Sequence, residues 1–197
     1  MADNVSGGAV PDIGKSSGTT DLTGQSALLE GAEISVPDEV RTAPGVATRQ
    51  SGRPKTMRLV RNVSGIALAP KRAVTWATGY RGRRVGGYCT TTAAEIAGVV
   101  DDRLPSAGVP ANELFWIHRS GPALCKNDIA SGAPTVITEG NIIVALTAVT
   151  SQATTSGRIA NGNAATLAHV DAKIGRAMSS KTTANTNADV LIDLAIL

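Results

Sequence analysis

The sequence predicts an all-β fold: a small barrel or sandwich domain carried behind a long extended N-terminal arm. Three observations lead there. Short runs rich in apolar and β-branched residues recur at close spacing between Gly, Asn and Pro turns. Apolar residues make up 42% of the chain but aromatics only 3%, so a core must be assembled from Ala, Val, Ile and Leu. The first stretch, 1–56, has no apolar periodicity at all.

Pro11, Pro37, Pro44 and Pro54 interrupt that stretch, and glycines break it further. Only Gln25 to Ile34 has the composition of a short helix, with Ser26 as its cap. Alone, the segment reads as a tail that a partner surface must order. Extended at ~3.3 Å per residue it could reach ~180 Å, against ~35–40 Å for the domain behind it. The expected organisation is therefore an arm at 1–56 and a β-rich domain at 57–197.

Within the domain, Met57 to Val63 alternates apolar and basic residues with the period of a strand. Ile66 to Trp76 predicts a second strand, held to an edge or split by Pro70. Gly79 to Gly87 is a basic turn region, Thr92 to Asp101 a short helix or irregular connection, and Leu104 to Asn112 a loop. Leu114 to Ile117 and Ala123 to Lys126 read as strands around a Ser120-Gly121-Pro122 turn. Asn141 to Ala148 is strongly β-prone, and Thr150 to Gly157 is a polar loop. Arg158 to Ala160 resumes a strand before the Asn161-Gly162-Asn163 turn, Ala164 to Ala172 admits a short helix, and Lys173 to Met178 and Asp189 to Leu197 close the fold.

Charge is unevenly spread. Up to Val40 the chain carries Asp3, Asp12, Asp21, Glu30, Glu33, Asp38 and Glu39 against Lys15 alone. From Arg41 to Thr90 every charge is positive. Within that stretch Arg41, Arg49, Arg53, Lys55, Arg58, Arg61, Arg81, Arg83 and Arg84 are the candidate partner-binding residues. Arginine pairs bidentately with carboxylates, which favours an acidic protein surface as the partner. A solvated face that aids solubility is the next reading, and nucleic acid the weakest of the three, because few aromatics accompany the cations and no single recognition helix gathers them.

Catalytic chemistry finds little support. No phosphate loop, nucleophile elbow or HExxH pair occurs. His118 and His169 are the only histidines; His118 follows an apolar run and is expected at a strand end. The Asp101-Asp102 pair, followed by Arg103, is expected in a solvated turn. Cys89 and Cys125 lack metal or disulfide spacing and read as small buried hydrophobes. No catalytic, cofactor or metal site is expected, and a hydrolytic enzyme is the weakest reading. Met1 to Val10 does not resemble a signal peptide, and no run approaches the ~20 apolar residues that span a bilayer. The chain is thus expected to be made in the cytoplasm, where the triplets Asn4-Val5-Ser6 and Asn62-Val63-Ser64 carry no glycan.

From about Asn112 to Leu197 the order of segments resembles the capsid cement, or head decoration, proteins of tailed bacteriophages. The stretches are Glu113-Leu114-Phe115-Trp116-Ile117, Ser120-Gly121-Pro122-Ala123, Asn141-Ile142-Ile143-Val144-Ala145, Lys173-Ile174-Gly175-Arg176-Ala177-Met178 and Val190-Leu191-Ile192-Asp193-Leu194. The resemblance implies a small β-barrel or β-tulip-like domain in the virion. It implies binding to the outside of the shell, often as trimers, with the major capsid protein as partner and no small-molecule substrate. The arm and the Met57 to Pro110 region depart from the shortest members of that family.

Overall fold

The computed structural model describes residues 13–16, 29–43, 46–89, 95–126, 137–145, 159–161, 173–180 and 189–196, with the backbone alone at 39–43, 46–52 and 160–161. The fold is all-β. Among the described residues ten strands form it: β1 (Glu33–Ala43), β2 (Val46–Asn62), β3 (Ala73–Trp76), β4 (Arg84–Tyr88), β5 (Ile96–Val100), β6 (Leu114–Lys126), β7 (Ile142–Ala145), β8 (Ile159–Asn161), β9 (Lys173–Ala177) and β10 (Asp189–Ala195). They pair in the order β1-β2-β4-β3-β5-β6-β10-β9-β7-β8, and an added β2–β6 pairing closes part of the sheet on itself.

The closed part is a barrel of β2, β4, β3, β5 and β6. Its β2–β4 pair is parallel, at Arg61↔Arg84 and Asn62↔Val85, and its other pairs are antiparallel. Each barrel strand sends apolar side chains to one cluster: Val60, Val74, Val85, Ala97, Val100, Phe115 and Ile117. A cluster fed by every strand of a ring is the ring's interior. Asn62, fully buried, fastens its loops: its amide donates to the carbonyls of Ile66, Val109 and Pro110 at 2.8, 3.0 and 3.1 Å. The Asn62 triplet is thus used internally.

β6 joins the barrel to the rest. One of its edges runs along β2, from Arg61↔Leu114 to Thr56↔Ser120. Its other edge meets β5 at His118 and then passes to β10, from Ser120 to Lys126. The expected Ser120-Gly121-Pro122 turn is therefore a continuous strand. Gly121 holds φ +81°, and a Cβ there would collide with the Pro54 carbonyl. Gly-Pro marks a close crossing of backbones here, which sequence alone does not separate from a turn. A second apolar cluster, including Ile143, Ile174, Val190, Ile192 and Cys125, lies on the β6-β10-β9-β7-β8 part and reaches Cys89 and Val99 of the barrel. Both cysteines are buried, and no disulfide joins them.

Other expectations change as well. Thr92 to Asp101 is not helical where described: Ile96–Val100 is β5, buried along its whole length because β3 and β6 flank it. Of Ile66 to Trp76 only Ala73–Trp76 is strand; the part before it loops, tied by a Leu68↔Val109 bridge. The boundary expected at residue 56 falls inside β2, and residues 33–43 are strand. Of the expected Gln25 to Ile34 helix, Leu29 is helical, Glu30 and Gly31 form a turn, and Glu33 and Ile34 open β1. The Thr150 to Gly157 loop, the Ala164 to Ala172 helix and residues 25–28 lie outside the described residues.

β1 and β2 form a long hairpin. Pro37 faces Pro54, and neither can donate a ladder hydrogen bond; the register shifts immediately beyond, before Glu39↔Arg49. On the far side of that pair, Val46 to Arg49 of β2 pair with β1, and no residue from Val46 to Arg53 pairs with another described strand. That half of the hairpin is a two-stranded ribbon. Among the described residues no helix is long and apolar enough to cross a membrane.

Candidate functional site

Strand alternation decides the fate of the cations on β2. Met57, Leu59 and Arg61 share one face, and Arg58, Val60 and Asn62 the other. Met57 and Leu59 pack with Leu114 and Trp116, and Ile13, Leu29, Ile34 and Val36 of the N-terminal segment cover them. Backbone bonds lay that segment on β2: Gly31 N donates to Leu59 O and Leu59 N to Ala32 O, both at 2.8 Å. Arg61, sharing this face, is buried completely. A guanidinium cannot shed its charge, so it needs a buried anion.

Glu30 is that anion. Arg61 Nε donates to Glu30 Oε1, and Arg61 Nη1 to the Asn112 carbonyl at 2.6 Å. Arg84 Nε donates to the other Glu30 oxygen at 2.8 Å while its guanidinium lies 4.5 Å from the Tyr80 ring centre. Farther along, Lys55 meets Asp38 at 2.9 Å with both side chains buried. Arg58 donates to Glu33 at 2.6 and 3.1 Å. The acidic leader and the basic stretch are thus joined within one chain.

The remaining candidates are dispersed. Arg53 pairs with Asp193, and Arg81 with Glu95 at 2.5 Å, both toward solvent. Arg83 is exposed. Arg41 and Arg49 lie on the ribbon, opposite Ala47 and Glu39. The structure therefore gathers Arg61 and Arg84 around Glu30 and spreads the other candidates along the hairpin and the β4 turn.

A second constellation was not expected from the sequence. Asp101, at the end of β5, is buried and not in a solvated turn, because its amide donates to the Trp116 carbonyl. His118 lies within β6, not at its end, and is also buried. Its Nε2 is 3.4 Å from Asp101 Oδ1 and 3.6 Å from Asp102 Oδ1. Neither ring nitrogen has a hydrogen-bond partner among the described residues. Burial pushes the His118 pKa down, but the carboxylates of Asp101 and Asp102 more than offset this and raise it. Burial pushes the Asp102 carboxyl up, yet His118, Lys55 and Arg103 hold it well below the carboxylate range. Asp101 is oriented by Gly14 N, which donates to Oδ2 at 2.7 Å, and by Arg103 N, which donates to Oδ1 at 3.2 Å. The signal in the sequence was a His two residues after Trp116, on the same strand face, in an otherwise apolar run.

Neither a protein-family model nor a curated protein matches the chain. The reading of function accordingly rests on the residues. The ion pairs fasten the leader to the barrel, and Asp101, Asp102 and His118 bring three donor atoms within 4.8 Å of one another.

Proposed function

We infer that this chain is a structural virion protein that binds the outside of a capsid shell and stabilises it by bridging neighbouring major capsid subunits, as a homotrimer. One observation carries this reading. The segments that carry the resemblance to cement proteins lie far apart in sequence, yet they fall on β6, β7, β9 and β10, which are neighbours in the order β6-β10-β9-β7. Segments that together build one sheet form a single framework, and a shared framework is what an ordered resemblance would reflect.

The connecting arm takes a definite form in this reading. Residues 29–38 are held on the barrel by Glu30, Glu33 and Asp38, so they belong to the domain. The ribbon beyond Pro37 and Pro54 is the connector. A two-stranded ribbon is marginal alone, and its open edges suit pairing with a neighbouring subunit. Arg41 and Arg49 on it would meet acidic groups of the shell.

The test replaces Glu39–Gly52 with an Asn-Gly turn. The shortened chain is expected to keep its thermal midpoint and lose most of its sedimentation with shells of the major capsid protein. Undiminished sedimentation would refute the bridging role.

A further inference from the structure

We propose that Asp101, Asp102 and His118 form a binding site for one divalent first-row metal ion, with zinc the best-matched ion. The three residues each offer one donor atom, and these lie within 4.8 Å of one another. The separations of 3.4 and 3.6 Å from His118 Nε2 to the two carboxylate oxygens are too long for a hydrogen bond. They are close to what a metal imposes: ligands at about 2.0–2.1 Å in tetrahedral array stand about 3.3–3.4 Å apart.

A second observation points to a ligand. Both His118 ring nitrogens and Asp102 Oδ1 are buried without hydrogen-bond partners, and His118 is only 1% exposed. Buried polar atoms are normally satisfied, so the orphans His118 Nε2 and Asp102 Oδ1, 3.6 Å apart, indicate a missing group between them. Charge agrees. Two carboxylates meet one imidazole here; of the nearby cations, Lys55 is paired with Asp38 at 2.9 Å, and Arg103 also acts on Asp102. A divalent ion matches a neutral imidazole and two carboxylates.

The remaining requirements are an oriented outer shell and a way in. Gly14 N and Arg103 N fix Asp101, as hydrogen bonds to ligating carboxylates commonly do. Asp102 also lines a surface pocket of about 330 Å³ shared with Lys71, Arg72, Ser106 and Lys126. Asp102 thus stands between the buried group and the surface, the side from which an ion would arrive. Because Gly14 belongs to the N-terminal segment, an ion here would also tie that segment to β5 and β6.

The experiment uses the full chain, stripped with chelator and dialysed into metal-free buffer. Zinc chloride titrated calorimetrically should bind one equivalent per chain, and cobalt(II) should give the intense visible absorption of a four-coordinate site. His118→Ala and Asp102→Asn should each weaken zinc binding at least about 100-fold. Asp102→Asn is nearly isosteric, so it serves even if the His118 variant misfolds. No uptake by the intact chain would show a His–carboxylate ion pair only and overturn the proposal. Uptake unaltered in Asp102→Asn, or only the weak absorption of six-coordinate cobalt, would overturn it as well. Shells play no part in these measurements, so their outcome is independent of the capsid reading.

Discussion

Arg61 owes its tolerated burial to Glu30, and the two side chains are 0% and 2% exposed. Glu30→Gln keeps the shape but removes the anion, leaving a buried guanidinium short of charge. The expected loss is about 3 kcal/mol, read from the midpoint of a denaturant titration. Replacing the pair together, Glu30→Leu with Arg61→Met, should restore much of that loss, because apolar isosteres of buried ion pairs are often as stable. Arg81→Ala should cost under about 1 kcal/mol, since its pair with Glu95 is 74% and 44% exposed. Cys125 gives a test of burial. Its thiol is pushed far above the usual range by burial and by the Asp102 and Asp189 carboxylates. Below its ordinary value of 9.0 the thiol is neutral whether the chain is folded or not. Above it only the unfolded chain ionises, so this group lowers stability as pH rises through that value. Iodoacetamide at mildly alkaline pH should therefore label Cys125 in denaturant and spare it in the native chain. Labelling at equal rates would contradict its place in the core.

At the scale of elements, β6 shows what a sequence conveys and what it withholds. Its apolar segments were legible as strands because alternation and β-propensity mark them. Their continuity was not, because Gly121 and Pro122 signal a turn unless the Pro54 backbone crossing is known. β5 was hidden for a related reason: a run buried on both faces lacks the period of two. Gly121→Ala should cost at least about 1 kcal/mol, because it strains a left-handed backbone and drives a methyl into the Pro54 carbonyl. A loss under a few tenths, by thermal melt, would mean that β2 and β6 do not cross so closely. The ribbon beyond Pro37 and Pro54 should behave as a separate local unit. Its amides between Val46 and Gly52 should exchange with deuterium far faster than those of Met57 to Arg61, which β6 covers.

Across the whole molecule, the charge asymmetry of the sequence becomes an internal fastening. The asymmetry was legible; that the leader's own carboxylates, and not those of another protein, meet Arg58, Arg61 and Arg84 was not, because composition carries no distances. The Asp101–Asp102–His118 group was illegible for the same reason, since β5 and β6 bring together residues separated by 16 and 17 positions. The proposed bridging role requires binding to the shell. Its most direct test mixes increasing amounts of the intact chain with empty shells of the major capsid protein and measures the mass that sediments with them. Saturation at a fixed ratio of chains to capsid subunits, with shells more resistant to heat, is the predicted result. A chain that stays in the supernatant at every ratio, or binds without saturating, would contradict it.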